Sequence, residues 1–145
     1  MANGILNGTD IKVYNAGTLI AFATSGTINI NHSPRSTSNK EDGGWESALE
    51  GYRSFDVSVD AMYAWLDASG SAISNTTLSE LYTNYIHTRT SFTITFGSTG
   101  STAGDTKYTG TVFMTSASLT APNEDSATFS ASFQGTGALT QTIAT

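Results

Sequence analysis

Residues 52–63 read as a strand that alternates strictly from Ser54 to Ala61. Phe55, Val57, Val59 and Ala61 fall on one side, with Ser54, Asp56, Ser58 and Asp60 on the other. A period of two, with aromatic and β-branched residues on one side, marks a half-buried strand. The pattern recurs in residues 91–96, where Phe92, Ile94 and Phe96 oppose Thr93 and Thr95. It recurs again in residues 127–134, where Ala127, Phe129, Ala131 and Phe133 oppose Thr128, Ser130, Ser132 and Gln134. Residues 11–14 read as a short strand ended by an Asn15-Ala16-Gly17 turn. Residues 19–31 read as a long strand bent at Ser25-Gly26, with Ile28 and Ile30 on one side. Residues 107–119 form a further strand whose apolar positions change phase near Val112-Phe113-Met114, as a bulge or burial on both faces requires.

One segment has a helical period instead. Thr77-Leu78-Ser79-Glu80 matches a capping box, and Leu78, Leu81, Tyr82, Tyr85 and Ile86 then make one apolar stripe about three turns long. The expected fold is mainly β: an antiparallel β-sandwich or partly closed barrel with one flanking α-helix. Length predicts a single domain over residues 1–145. Within it, residues 33–51 stand apart as a polar, charged arm with one large aromatic, Trp45, and are expected to be a long loop or extended excursion. Ile5 and Leu6 form an apolar pair in an otherwise small and polar start, and Asp67-Ala68-Ser69-Gly70 has turn chemistry. Residues 97–105 read as a flexible connection, and residues 135–145 as a small polar tail.

Composition narrows the function. Charged residues are only 12% of the chain, about half the usual share, and Ser and Thr take their place. Such a surface suits protein–protein contact better than solitary catalysis. The net charge is −6, and the six basic residues, Lys12, Arg35, Lys40, Arg53, Arg89 and Lys107, are scattered, so a phosphate-gripping face is not expected. With no cysteine, disulfides, thiolate metal sites and cysteine nucleophiles are excluded. The start lacks a basic, then apolar, signal segment, and no stretch is long enough to span a bilayer, so synthesis in the cytoplasm without membrane entry is expected.

Enzyme signatures are sparse. His32 and His87 lie in unlike settings, and His87 follows the helical stripe, where it suits a helix C-terminus. No serine sits in a nucleophile elbow, and no glycine cluster has phosphate-loop spacing. Asp56 and Asp60 share a strand side but stand roughly 13 Å apart by strand rise, too far to share a proton or metal. Glu41-Asp42 and Glu124-Asp125 are carboxylate pairs that could hold a hard cation, but solvated turn charges are the favoured reading of both. No catalytic residue, metal or cofactor is therefore expected.

What remains distinctive is the faces. Three strands pair an apolar side with a side of Ser, Thr, Asp or Gln that holds almost no Lys or Arg. One face on the core and one in water is ordinary for an antiparallel sheet. The alternative is a set of such sheets joined edge to edge into a wall with a polar, weakly acidic inner surface.

Several segments favour the alternative. MANGILNGTDIKVY at the start, Lys40-Glu41-Asp42-Gly43-Gly44-Trp45 followed by Gly51-Tyr52-Arg53-Ser54, and Ala121-Pro122-Asn123-Glu124-Asp125 leading to Phe133-Gln134-Gly135-Thr136-Gly137-Ala138-Leu139-Thr140 together resemble the major tail tube proteins of long, non-contractile-tailed phages, the TP901-1-like family. The likeness keeps these segments in order over nearly the whole chain. It implies a non-enzymatic structural protein of the virion, in homohexameric rings stacked into a hollow tail tube that conducts DNA to the host without binding it. Tape measure, terminator and distal tail proteins are the further partners it implies. By strand phase, Asp56, Ser58, Asp60, Thr128, Ser130 and Ser132 are the candidates for the lining of the bore. The resemblance makes residues 33–51 an inter-ring arm, with Lys40, Glu41, Asp42, Trp45 and Glu46 as contact candidates. A competing reading is a monomeric β-sandwich module binding carbohydrate or a host surface through Trp45, Tyr63 and Trp65.

Overall fold

The computed structural model describes residues 8, 11–15, 17–20, 22–64, 78–98 and 103–145. These form nine strands: β1 (Ile11–Asn15), β2 (Thr18–Leu19), β3 (Ala23–His32), β4 (Arg35–Ser36), β5 (Ala48–Leu49), β6 (Arg53–Met62), β7 (Phe92–Ser98), β8 (Thr106–Thr120) and β9 (Thr128–Ile143). Seven join in one sheet of order β2-β1-β7-β8-β9-β6-β3, and β4 pairs with β5 in a separate ribbon. Every pairing is antiparallel, as the alternating strands required.

The long strands β8 and β9 serve two halves of the sheet. Residues 107–112 of β8 pair with β7, while residues 128–134 of β9 pair with β6. The apolar faces of the two halves turn toward each other. Val13, Phe55, Val57, Val59, Ala61, Phe92, Ile94, Val112, Phe129, Ala131 and Phe133 are all buried in one cluster. Phe92 meets Phe133 edge-on at 5.4 Å. Gly26 of β3 lies so near β1 that a Cβ there would come within 2.9 Å of Val13 Cγ2. The sheet nevertheless stays open, so the barrel alternative is not realised: among the described residues, β2 and β3 end the strand order without outer partners.

Phe55 has a consequence for stability. Its ring fills space over two glycines, for a Cβ on Gly135 would lie 2.4 Å from Phe55 Cε1 and one on Gly110 2.5 Å from Phe55 Cζ. Phe55 is 2% exposed and has nowhere to go. Gly135→Ala is therefore expected to cost about 1–3 kcal/mol by overpacking, read as a lower urea midpoint at constant m-value.

Three expectations need correction. The helix is shorter and less regular than three α-turns: Leu78–Leu81 is α-helical, and Tyr82–His87 is a π-helix. Closing hydrogen bonds from i to i+5 widens each turn, so a stripe drawn at 3.6 residues drifts off the core. Leu81 is fully buried and Leu78 and Tyr85 pack against the core, yet Tyr82 is 53% exposed. Tyr85 stacks on Phe92 at 4.0 Å and donates its hydroxyl hydrogen to Asn15 Oδ1 at 2.8 Å. Second, Gly97 and Ser98 belong to β7 and are buried, not part of a flexible connection. Third, residues 135–143 are the second half of β9, paired with β8 from Thr106↔Ile143 onward. The phase change in β8 is a bulge, with register shifts between Thr109/Thr111 and Met114/Ser116. The Ile5–Leu6 pair, the turn over residues 67–70 and the capping residue Thr77 lie outside the described residues.

Candidate functional site

Four neighbouring strands, β8-β9-β6-β3, present one continuous polar face. The register fixes its rows. Ser118, Ser130, Asp60 and Ser25 form one, Ser116, Ser132, Ser58 and Thr27 the next, and Gln134, Asp56 and Asn29 a third. The six lining candidates thus share this face, with Asp56, Ser58 and Ser132 half-buried and Asp60, Thr128 and Ser130 exposed. The strand-phase candidates omitted β3 and β8, which contribute Ser25, Thr27 and Asn29, and Ser116 and Ser118. The alternation of Thr27, Asn29 and Asn31 against Ile28 and Ile30 is the signal that would have found the β3 set.

Both aspartates are held in place. Asp60 accepts hydrogen bonds from Ser25 Oγ at 3.0 Å and Ser130 Oγ at 2.5 Å, and Asp56 accepts one from Asn29 Nδ2 at 3.0 Å. Neighbouring side chains therefore fix the two carboxylates against a face with no Lys or Arg in these rows. Phe113, opposite Gln134, and Met62, opposite Thr128, are the large apolar residues here, 45% and 47% exposed.

This face is bounded by two unpaired edges. On one side, among the described residues, β3 has no outer partner. On the other, β7 pairs with β8 only as far as Val112, so no described strand pairs with the outer edge of residues 113–120. Along that stretch even Ala117 and Leu119, which register with buried Ala131 and Phe129, are exposed. Unpaired strands flanked by uncovered apolar side chains invite pairing with another chain.

Between β3 and β6 the arm rises as a hairpin. Ser33 N–H donates to the Tyr52 carbonyl at 2.9 Å, Arg35 pairs with Leu49 and Ser36 with Ala48. Thr37 N–H donates to the Ser47 carbonyl at 2.9 Å, and Ser47 N–H to Ser38 Oγ at 2.8 Å. A compact turn closes the tip: Asn39 N–H donates to Asp42 Oδ2 at 2.8 Å and Trp45 N–H to the Asp42 carbonyl at 3.1 Å. Trp45 itself is 81% exposed. It does not fold back onto its own subunit, and Lys40, Glu41 and Glu46 are exposed beside it.

The chemistry considered for other sites is not assembled. Among the described residues no three His, Asp or Glu gather to hold a metal. Asp42 serves the arm turn, and Asp125 Oδ1 accepts the Ser126 N–H at 2.7 Å. For a sugar platform, Trp45 stands on the arm, Tyr63 is packed against the core, and Trp65 is outside the described residues. No described helix is long and apolar enough to cross a membrane.

A largely polar face that ends, among the described residues, in two open strand edges, with an exposed hairpin beside it, fits a structural assembly protein. Its lineage is equally clear. The chain belongs to the phage tail tube protein family, whose model matches residues 7–141, and is thus a structural component of the virion. No curated protein matches it. Among solved structures it is similar in fold to a chain of the virion of a native gene transfer agent particle, at TM-score 0.72 and 21% identity over 96% of this chain and 100% of that one. A chain of the tail of an empty gene transfer agent particle, refined with C6 symmetry, gives TM-score 0.72 and 19% identity over the same shares. A chain of the SPP1 tail tube gives 0.70 and 13% over 96% of this chain and 80% of that one.

Proposed function

We propose that six copies of this chain close edge to edge into a ring, that rings stack into the tail tube, and that the face carrying Asp56, Ser58, Asp60, Thr128, Ser130 and Ser132 lines the bore through which DNA passes. The observation that carries this reading is the four-stranded polar face with an open edge on each side. Joining the free edge of β8 to that of β3 in the next copy satisfies both and repeats without end until the ring closes. The sixfold count draws support from the C6 symmetry of the gene transfer agent tail. Six four-stranded sheets make a barrel of roughly two dozen strands, wider than the 16–18 that already enclose an aqueous channel. A lining of hydroxyls, amides and carboxylates gives phosphates no cation to hold, so the duplex slides. The arm bridges rings, no step is catalytic, and terminator and other tail proteins meet the ends of the stack.

Because the chain has no cysteine, a single introduced thiol reports its own position. Ser58→Cys in assembled tubes is expected to resist a bulky maleimide–polyethylene glycol and to react fully once the tubes are dissociated. Thr93→Cys, exposed on β7 away from this face, is expected to react in both states. Equal labelling of Ser58→Cys in both states, or a protein that stays monomeric at every concentration under negative-stain microscopy, overturns the reading.

A further inference from the structure

Resting on the tube reading above, we propose that an apolar pocket at the start of β3 is the socket for the arm tip of a second copy, with the Trp45 indole as the inserted group. The pocket has a volume of about 680 Å³ and opens between β1, β2 and β3, where Val13, Leu19, Ile20, Phe22, Gly26 and Phe96 line it. That volume lies within the range of pockets that enclose organic groups.

Three observations point to this occupant. The first is the rim. Phe22 has φ +53, a conformation costly for a bulky side chain, and the Met62 N–H donates to its carbonyl at 3.1 Å. This strained backbone leaves an aromatic ring 49% exposed at the pocket, a platform for a second aromatic. The second is the tip, where the turn bonds of Asn39, Asp42 and Trp45 already fix the hairpin end. An ordered anchor loses little entropy on docking, and Trp is among the residues enriched at binding hot spots. The third is charge: Lys12 is the one charged residue among the described ones lining the pocket, and around the indole the three acidic residues Glu41, Asp42 and Glu46 outnumber the single Lys40.

Placement gives the direction of stacking. The socket lies at residues 23–26 of β3, and the arm departs after residue 32, so roughly 20 Å of strand separates them. Socket and arm root are therefore at opposite ends of the same strand. Their union joins unlike surfaces, head to tail, and leaves a fresh socket and a fresh arm at the ends of every stack. A heterologous contact of this kind propagates as a filament rather than closing as a dimer.

The test uses the full chain. Trp45→Ala is expected to raise the protein concentration needed for tubes by at least about tenfold, with thermal unfolding unchanged. A Lys12→Cys, Glu46→Cys double variant, treated with a short bismaleimide during assembly, is expected to give a ladder of multimers on a denaturing gel, and each single variant none. Trp45→Ala tubes at the wild-type concentration, no ladder, or a product that stops at the dimer would overturn the socket. If the socket fails while removal of the whole arm still blocks tubes, the arm reading stands. If arm-less protein forms tubes, the arm has no part in stacking and the socket falls with it, while a protein that forms no tubes under any condition overturns the tube reading instead.

Discussion

Deleting residues 37–50 is expected to leave a folded subunit that makes no tubes. The deletion removes β5 and the tip but no core residue, since the buried apolar cluster takes nothing from residues 33–51. The ribbon pairs only with itself, and its bonds to the main body begin at the Ser33–Tyr52 root, which the deletion spares. Stability should therefore shift within the roughly 0.5 kcal/mol typical of surface changes, giving a nearly unchanged melting temperature. Both open edges of the four-stranded face remain, so lateral association should persist while stacking is lost. Sedimentation is expected to detect species up to single rings, and negative-stain images no tubes. Tubes of normal length from this variant would remove the arm from assembly. A large drop in melting temperature would instead place the arm within the subunit's own stability.

Legibility in the sequence followed burial on one face. Strand β6 could be read residue by residue because Phe55, Val57, Val59 and Ala61 are each 1–2% exposed and every intervening residue is polar. The first half of β9 is similar, with Phe129, Ala131 and Phe133 buried. Its second half was opaque. From Gly135 to Ile143 only Gly135 and Leu139 are even half-buried, so backbone pairing with β8 holds the strand where no apolar period can announce it. The arm hairpin was hidden for the same reason, its order coming from backbone and serine hydrogen bonds. The helix misled differently. Its stripe was real, but a π turn shifts phase, and Tyr82 left the core.

The candidate site divides along the same line. Asp56 and Asp60 were legible because each sits between two core residues of one strand. The flanking strands were not, because their burial depends on a neighbour. On β3 only Ile28 is even half-buried, and on β8 Ala117 and Leu119 carry a core-like alternation onto an uncovered surface. An apolar period with nothing local to cover it is the mark of an interface. In this chain Ile30 on β3 and Leu119 on β8 are such exposed positions at the two edges of the polar face, which suits the edge-to-edge joining proposed above.

That face also fixes what its charge should do. Asp56→Lys combined with Asp60→Lys is expected to give tubes that assemble but release DNA orders of magnitude more slowly at low salt. The substitutions forfeit the hydrogen bonds from Ser25, Ser130 and Asn29, yet Asp60 is exposed and Asp56 half-buried, so a lysine stem can swing clear. Each ring would then present two tiers of ammonium groups to the duplex. A protein contacting roughly 6–10 phosphates loses about 10³–10⁵ in affinity between 50 and 200 mM salt, so release should recover steeply as salt rises. That recovery separates phosphate capture from mere distortion of the bore, which added salt would not relieve. Triggered DNA release from particles carrying the double variant, followed against sodium chloride concentration, reads it directly. Release as fast as wild type at low salt would mean that these two carboxylates do not face the DNA.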